Sequence, residues 1–294
     1  MSTVLPLVAG HTYETDVACA MCGSRRQHVL PPSANADMAK LREAWGCTFV
    51  ECQDCGLRYY SPRLDETYAV QTYLEGGEAE SEAISMMEKG VFFGEPEGGA
   101  EHQIALLKQL YTGIFDRICE QYIAANGRPP RTMFEVGTSV GWFSKAATER
   151  AIERWGRFET AGCDANVFSA RMARERNGLN VQGCVFSAYK AAPEQQGHYD
   201  LIVAYDFLEH TYSPFTDLKK LHGLAAPKGM LAVKTFVDDL DPTGSMIHPV
   251  FHHHHFTRAT LREIIERSGW RILEFDDTSE AVYAQVSVFA EKIG

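Results

Sequence analysis

The residues with the clearest chemical pattern are two pairs of cysteines near the N-terminus. Each pair reads Cys-x-x-Cys-Gly, and the four thiols belong to Cys19, Cys22, Cys52 and Cys55. A tight turn of this kind presents two thiolates to one metal ion, and four thiolates complete the closed tetrahedral site that is typical of structural zinc. The pattern predicts a zinc ribbon, with a disulfide pair, a rubredoxin-like iron site or buried free thiols as alternatives. The other cysteines lack this spacing and are interpreted as small core residues: Cys47, Cys119, Cys163 and Cys184.

A second candidate site lies in residues 132–143. The apolar run at 133–136 predicts a buried strand that carries one charge, Glu135, near its end. Gly137 and Gly141 then allow a tight turn into a helix, whose first N–H groups suit a polar or anionic ligand. The glycine spacing is G-x-x-x-G, which differs from the dinucleotide-binding fingerprint.

The elements that must position these residues alternate along the chain. Apolar patterns predict strands at 132–136, 158–163, 179–182, 199–205, 230–236, 270–275 and 282–290. They predict helices at 101–126, 140–150, 167–176, 214–224 and 258–268. This alternation indicates an α/β fold with a parallel sheet, closed by an antiparallel edge, in which ligands bind beyond the carboxyl ends of the strands.

Three features along this succession form a specific set: the glycine turn after the first strand, Asp164 after the second, and Leu208-Glu209-His210 after the fourth. Together they resemble the class I S-adenosylmethionine (SAM)-dependent methyltransferases over most of residues 100–294. With the cysteine pairs, the chain is similar to bacterial sugar and small-molecule methyltransferases that begin with a zinc ribbon. The resemblance implies a seven-stranded, doubly wound, Rossmann-like methyltransferase sheet. It also implies a zinc-ribbon domain at 1–63, a lid or linker at 64–100 and a methyltransferase domain at 101–294.

The resemblance implies where SAM binds. Glu135 and the glycine turn would hold its methionine end, and Asp164 would accept hydrogen bonds from both ribose hydroxyls, with a helix N-cap as the alternative role. Adenine recognition departs from the common pattern, because Cys184-Val185-Phe186 stands where an acidic residue is often found. The residues predicted to bind SAM are Glu135, Gly137, Thr138, Ser139, Gly141, Trp142, Asp164, Ala165, Asn166, Cys184, Val185, Phe186 and Asp206.

The residues after the fourth strand are candidates for catalysis. Methyl transfer to a hydroxyl requires alignment of donor and acceptor and removal of a proton. His210 is the predicted base, because its ordinary pKa is near neutral, and Glu209 is the predicted orienting residue. The alternative is that Leu208-Glu209-His210 only shapes the SAM pocket.

Two other segments are candidates for acceptor binding. Tyr73 lies in the predicted lid, with a packing role as the alternative. The internal run His252–His255 precedes a helix, and His254 or His255 is predicted to face the substrate. The alternative for this run is a second metal site with Asp238, Asp239 or Asp241.

Composition limits the classes of protein that fit. Hydrophobic residues make up 45% and charged residues 23%, as in ordinary globular proteins. No apolar run in the sequence is long enough to span a bilayer, and the N-terminus lacks a signal-peptide pattern, so a cytoplasmic location is predicted. In that compartment cysteines are thiols or metal ligands more often than disulfides.

The net charge of −11 argues against a large nucleic-acid footprint. The predicted reaction is O-methylation of a small molecule such as a sugar, a nucleotide-sugar or a natural-product intermediate. N- or C-methylation of such a molecule is the first alternative. Arg25, Arg26 and Arg58 beside the cysteine pairs keep an RNA methyltransferase as another alternative. The remaining alternative is a non-catalytic protein with a methyltransferase fold.

Overall fold

The computed structural model describes residues 7–31, 35–71, 77–91, 94–240, 252–278 and 284–294. The chain forms two compact units. The first unit contains Met1–Ala69, Tyr205–His222 and Val233–Ala290, and the second contains Val70–Ala204, Gly223–Ala232 and Glu291–Gly294. The division into three consecutive domains at residues 63 and 100 stays a prediction.

The strands of the described residues follow in chain order. They are β1 (Tyr13–Glu14), β2 (Gln27–Val29), β3 (Phe49–Cys52), β4 (Arg58–Tyr60), β5 (Arg63–Leu64), β6 (Thr132–Val136), β7 (Glu159–Asp164), β8 (Asn180–Gly183), β9 (Tyr199–Tyr205), β10 (Ala225–Phe236), β11 (His254–His255), β12 (Trp270–Asp276) and β13 (Gln285–Lys292). The helices are α1 (Ala36–Trp45), α2 (Glu66–Ala69), α3 (Gly77–Lys89), α4 (Ala100–Asn126), α5 (Trp142–Trp155), α6 (Val167–Asn177), α7 (Pro214–Leu224) and α8 (Arg258–Arg267).

The largest sheet has seven strands in the order β12-β13-β10-β9-β6-β7-β8, which confirms the predicted methyltransferase sheet. Strand β6 is parallel to both β7 and β9, and β7 is parallel to β8. The first strand of the sheet, β6, therefore lies inside the sheet, between β7, which follows it directly, and β9, which follows three strands later. In open α/β sheets such a reversal of strand order marks the ligand-binding crevice.

Most helix and strand predictions for residues 100–294 are confirmed to within a few residues. Helix α4 ends with Gly127 in the left-handed conformation at φ 67°, where its N–H donates to the carbonyl of Ile123. Strand β10 begins at Ala225, so the Pro227-Lys228-Gly229 segment lies inside the strand and not before it. Helix α3 was not predicted, because glycines and acidic residues made its segment look like a linker.

A second sheet in the first unit has the order β11-β4-β3-β2. Strands β2, β3 and β4 form the predicted ribbon. The fourth strand is formed by His254 and His255, which pair antiparallel with Tyr59 and Arg58. This long-range pairing was not predicted from the sequence.

Asp200, near the start of β9, holds the end of α4 and the entry to β6. Its carboxylate accepts hydrogen bonds from Tyr122 Oη (2.8 Å), Arg128 Nη2 (2.7 Å) and the Arg131 N–H (2.7 Å). Burial opposes ionisation, but the bonds from Arg128 and Tyr122 outweigh it and lower the pKa of Asp200.

We expect Asp200→Asn to lower the free energy of unfolding at pH 7 by about 1–3 kcal/mol, because a buried hydrogen-bonded charge is removed. Since the native pKa of Asp200 is lowered, its contribution is present above the unfolded pKa of about 4 and is lost as the pH falls below it. Urea denaturation at several pH values measures the difference. The exposed Glu153, which pairs with Arg150, provides the control variant Glu153→Gln, with an expected change below about 0.5 kcal/mol. An equal effect of the two variants would contradict the stabilising role of the buried Asp200 carboxylate.

None of the helices in the described part of the chain combines the length and the apolar composition needed to cross a membrane.

Candidate functional site

The loop between β6 and α5 has the geometry of a ligand-binding turn. Gly137, Ser139 and Gly141 have positive φ angles of 77°, 50° and 86°. A Cβ atom at Gly141 would lie 2.4 Å from Leu179 Cδ1, so no other residue fits there without a shift. Helix α5 begins at the next residue, and its N-cap Gly141 makes no side-chain hydrogen bond to it.

Asp164, at the end of β7, is bonded to this loop. One carboxylate oxygen accepts from the Ser139 N–H (2.6 Å) and the other from the Asn166 N–H (2.8 Å). Burial nevertheless raises the pKa of Asp164 to about 6. The N-cap of α6 is Asn166, whose side chain accepts from the next two N–H groups of the helix, so the N-cap alternative for Asp164 is wrong. Each carboxylate oxygen keeps capacity for a further hydrogen bond.

Glu135 lies in β6 with its side chain in the interior. Its register partner in β7 is Gly162, and its carboxylate accepts a short hydrogen bond from Ser144 Oγ. Burial raises the pKa of Glu135 to about 8, with a smaller contribution from Asp164, and the bond from Ser144 opposes this. A buried, mainly protonated carboxyl group of this kind is suited to a cationic ligand group that would ionise it.

If the SAM ammonium group binds beside Glu135, as the sequence predicts, its binding should release a proton at pH 7. We expect titration of S-adenosylhomocysteine, which carries the same ammonium group, to release close to one proton per molecule bound. The binding enthalpy should then change with the ionisation enthalpy of the buffer. In Glu135→Gln this dependence should vanish and the affinity should fall about tenfold to a hundredfold. A buffer-independent enthalpy in the wild-type protein would contradict this role of Glu135.

The segment after β8 has an aromatic character. The Cys184 N–H donates to the Asp164 carbonyl (2.8 Å), which fixes the segment beside β7. The Phe186 ring is buried and stacks on Tyr189, with centroids 5.9 Å apart, and it also contacts Phe134. Adenine contacts of Val185 and Phe186 stay predictions.

Helix α3 packs on residues that follow strands β6 and β7. The Trp142 indole donates to the Met86 carbonyl (3.0 Å), and the Asn166 amide donates to the Ala79 carbonyl (3.0 Å). Both acceptors lie in α3, whose buried residues Ala83 and Met86 contact Val140. The spacing of the inward-facing residues 79, 83 and 86 is helical and could have revealed α3 in the sequence. A lid role for this segment stays a prediction, and Tyr73 lies outside the described residues.

The residues after β9 form a second group, within the first unit. Asp206 pairs with Lys234 Nζ (3.2 Å) and accepts from Gln285 Nε2 (2.8 Å). Glu209 is buried, and it accepts from Thr235 Oγ1 (2.8 Å). Burial raises the pKa of Glu209 to about 8, with a contribution from Asp206. The imidazole of His210 is exposed and meets that of His252 edge to face, with centroids 4.8 Å apart.

The histidine run is bonded to this group through its backbone. The N–H groups of His253 and His254 donate to the Glu209 carbonyl at 2.7 and 3.2 Å. His254 Nδ1 donates to the Thr211 carbonyl (2.9 Å). The two ring nitrogens of His255 face Asp238 Oδ1 (3.2 Å) and the carbonyl of His252 (3.1 Å). Roles of His254 and His255 in substrate binding stay predictions.

The four predicted zinc ligands lie together. Their sulfur atoms are all within 4.8 Å of one another, with 3.4 Å between Cys19 and Cys55 and 3.5 Å between Cys22 and Cys52. These distances exclude disulfide bonds, which are about 2.05 Å long. Four thiolates at this spacing fit a structural zinc ion. Within the part of the chain that the structure describes, the second metal site with Asp238 or Asp239 is not found, and Asp241 lies outside that part.

Comparison with known proteins agrees with this geometry. Residues 106–274, more than half of the chain, match the family described as "Methyltransferase domain", and the chain belongs to this family. It is a SAM-dependent methyltransferase, with the fold and the cysteine cluster that the sequence predicted. No curated protein matches the chain.

Several solved methyltransferase structures are similar in fold. The plantazolicin methyltransferase BpumL is 10% identical, with a TM-score of 0.49, over 76% of this chain and 99% of its own. The N-methyltransferase NodS from Bradyrhizobium japonicum is 13% identical, with a TM-score of 0.47, over 64% and 88%. The magnesium protoporphyrin IX methyltransferase from Synechocystis is 16% identical, with a TM-score of 0.44, over 62% and 80%.

Proposed function

We propose that this enzyme transfers the methyl group of SAM to a hydroxyl oxygen of a small molecule, such as a sugar, a nucleotide-sugar or a natural-product intermediate. The observation that carries the proposal is the exposed imidazole of His210, which lies next to the ring of His252. The N–H groups of His253 and His254 donate to the Glu209 carbonyl and so fix the two segments together. An accessible imidazole at this point of a methyltransferase chain is suited to accept the proton of a hydroxyl.

The residues have separate roles in the reaction. SAM, when bound, supplies an electrophilic methyl group on a sulfonium sulfur. Asp164 accepts hydrogen bonds from the ribose hydroxyls, and Glu135 faces the ammonium group. His210 would accept the proton of the acceptor hydroxyl as the methyl group is transferred, and the acceptor oxygen would displace S-adenosylhomocysteine as the leaving group.

The RNA-methyltransferase alternative has little support in the charges of the ribbon. Arg25 pairs with Asp16, and Arg26 pairs with Asp54. Arg58 pairs with Glu51 (2.9 Å) and with Asp238 (3.3 Å). Guanidinium groups that are neutralised in this way are poorly placed to bind phosphates.

The acceptor atom is tested with SAM that carries a carbon-13 methyl group. The protein is incubated with the small-molecule extract of its native cell, and the products are examined by NMR. We expect the labelled methyl group to show the chemical shift of an ether or ester oxygen substituent. A shift typical of a methyl on nitrogen or carbon would contradict O-methylation and leave methyl transfer intact.

We expect His210→Ala to lower kcat by about 10²–10⁴-fold, because the base is lost, and to leave the affinity for S-adenosylhomocysteine unchanged. Steady-state assays with the labelled product and calorimetry measure the two quantities. His28→Ala, which removes an exposed imidazole of the ribbon, is the control. If His210→Ala kept more than about a third of the wild-type kcat, His210 would not be the base.

A further inference from the structure

Four buried polar atoms in the first unit have no hydrogen-bond partner among the residues that the structure describes. They are Arg63 Nη1, His253 Nδ1, His254 Nε2 and Glu209 Oε1. The four residues have exposures of 5%, 4%, 1% and 1%. Because nearly all buried polar groups in native proteins are hydrogen-bonded, a group of unpaired atoms in one region points to a ligand that completes them.

Stacking and backbone bonds hold these residues in one cluster. The guanidinium carbon of Arg63 lies 4.4 Å from the centroid of the Tyr212 ring, and the Tyr212 and His253 rings are 4.1 Å apart. The carbonyl of Glu209 accepts from the N–H groups of both His253 and His254. Burial lowers the pKa of both histidines well below its usual value, and the nearby positive charge of Arg63 lowers it further. Both rings are therefore neutral at pH 7.

The guanidinium of Arg63 keeps one donor group open. Its Nε and Nη2 atoms donate to Glu14 Oε2 at 2.9 and 2.8 Å, and Nη2 also lies 3.4 Å from the Tyr212 carbonyl. Since arginine stays protonated in proteins, Nη1 can only donate. The partner Glu14 has a half-exposed side chain, so solvent screens its charge while the guanidinium is buried.

The imidazole of His254 presents an acceptor. Its Nδ1 lies 2.9 Å from the Thr211 carbonyl, which can only accept, so Nδ1 carries the hydrogen. In a neutral ring the other nitrogen, Nε2, then has a lone pair and no hydrogen. The cluster thus combines a cationic donor with a neutral acceptor. Among the described residues, the side chains of this cluster do not form a group that could hold a metal ion.

We propose that this cluster binds the methyl acceptor and that the acceptor carries an anionic oxygen group, either a carboxylate or a phosphate, together with a hydroxyl or N–H group. Arg63 Nη1 donates to the anionic oxygen, and His254 Nε2 accepts from the hydroxyl or N–H. The inference rests on the proposed function, since it names the substrate class of that same reaction. A buried guanidinium is suited to this task because it attracts an anion more strongly there than in water.

The test measures binding of matched probes by calorimetry, with the zinc-loaded protein saturated with S-adenosylhomocysteine. One pair is para-hydroxybenzoate and para-hydroxybenzamide, and the other is glycerol phosphate and glycerol. We expect the anionic member of at least one pair to bind about tenfold more tightly or better. The pair that shows this preference distinguishes a carboxylate acceptor from a phosphate acceptor.

Three variants locate the preference. Arg63→Gln should abolish it. Glu14→Gln removes the counter-charge and should strengthen binding of the anion about two- to fivefold, which a folding defect would not do. His254→Asn keeps a donor for the Thr211 carbonyl but leaves no acceptor at the position of Nε2, and it should weaken both members of the preferred pair about tenfold.

Equal binding of both members in each pair, or no binding of any probe, would overturn the inference. A preference that survived in a folded Arg63→Gln variant would also overturn it. The same preparations are titrated with S-adenosylhomocysteine alone. If that compound binds and the probes do not discriminate, the substrate class is wrong, whereas failure of the wild-type protein to bind it would contradict the proposed function itself.

Discussion

Asp164→Ala is expected to weaken binding of S-adenosylhomocysteine about 10²–10⁴-fold. If Asp164 holds the ribose as proposed, two charge-assisted hydrogen bonds are lost, and each is worth about 1.5–3 kcal/mol when the acceptor is ionised. The change also leaves the Ser139 and Asn166 N–H groups without their carboxylate acceptor. Loss of the bond from Ser139 releases the loop after β6, so the effect should extend to the methionine end of the ligand. Calorimetric titration at pH 7 measures the affinity.

Two further variants give this prediction its controls. Asp164→Asn is expected to be nearly as damaging, because an amide NH₂ would face one of the two backbone donors. Glu159→Gln lies at the other end of β7, where the carboxylate is exposed and pairs with His198, and should change the affinity by less than about twofold. Wild-type affinity in a folded Asp164→Ala variant would show that the ligand is not held at this loop.

Removal of the zinc ion is expected to abolish methyl transfer. Structural zinc contributes about 10–16 kcal/mol in zinc-finger peptides, which is comparable to the stability of a whole domain, so the ribbon should unfold without it. Strand β4 of the ribbon pairs with His254 and His255, and the Glu209 carbonyl is bonded to the same segment. Loss of the metal should therefore release the histidines of the proposed acceptor site.

The zinc prediction is measured in two ways. Cys52→Ser protein should contain less than one zinc ion per chain and show a lower Tm and no transfer activity. Its affinity for S-adenosylhomocysteine should remain within about threefold of wild type, because the proposed donor residues, apart from Asp206, belong to the second unit. Cys47→Ser, at a buried cysteine of the first unit outside the cluster, is the control and should keep its zinc. Full activity in zinc-free protein would contradict the structural role.

The sequence was sufficient wherever the pattern is local. Apolar runs and helical periodicity predicted the sheet strands and helix α4, and the spacing of the cysteine pairs predicted the metal cluster. Asp164 was recognised by its place after a strand, and the structure adds its bonds to Ser139 and Asn166.

Long-range contacts account for what the sequence did not predict. Strand β11 contains only two residues, and it is a strand because β4, almost 200 residues earlier in the chain, offers it an edge. Arg63 is the last residue of the predicted ribbon domain, and the sequence did not indicate its burial, in which Tyr212 covers it and Glu14 neutralises it. Neither partner is near it in sequence, so no periodic pattern could indicate its burial.

The central claim is tested most directly by a transfer assay with methyl-labelled SAM. The purified protein is mixed with separated small-molecule, RNA and protein fractions of its native cell, and Asp164→Ala protein is assayed in parallel. We predict label in the small-molecule fraction with the wild-type protein and none with the variant. Label in the RNA or protein fraction would contradict the proposed substrate class, and label that persists in Asp164→Ala would contradict the donor site.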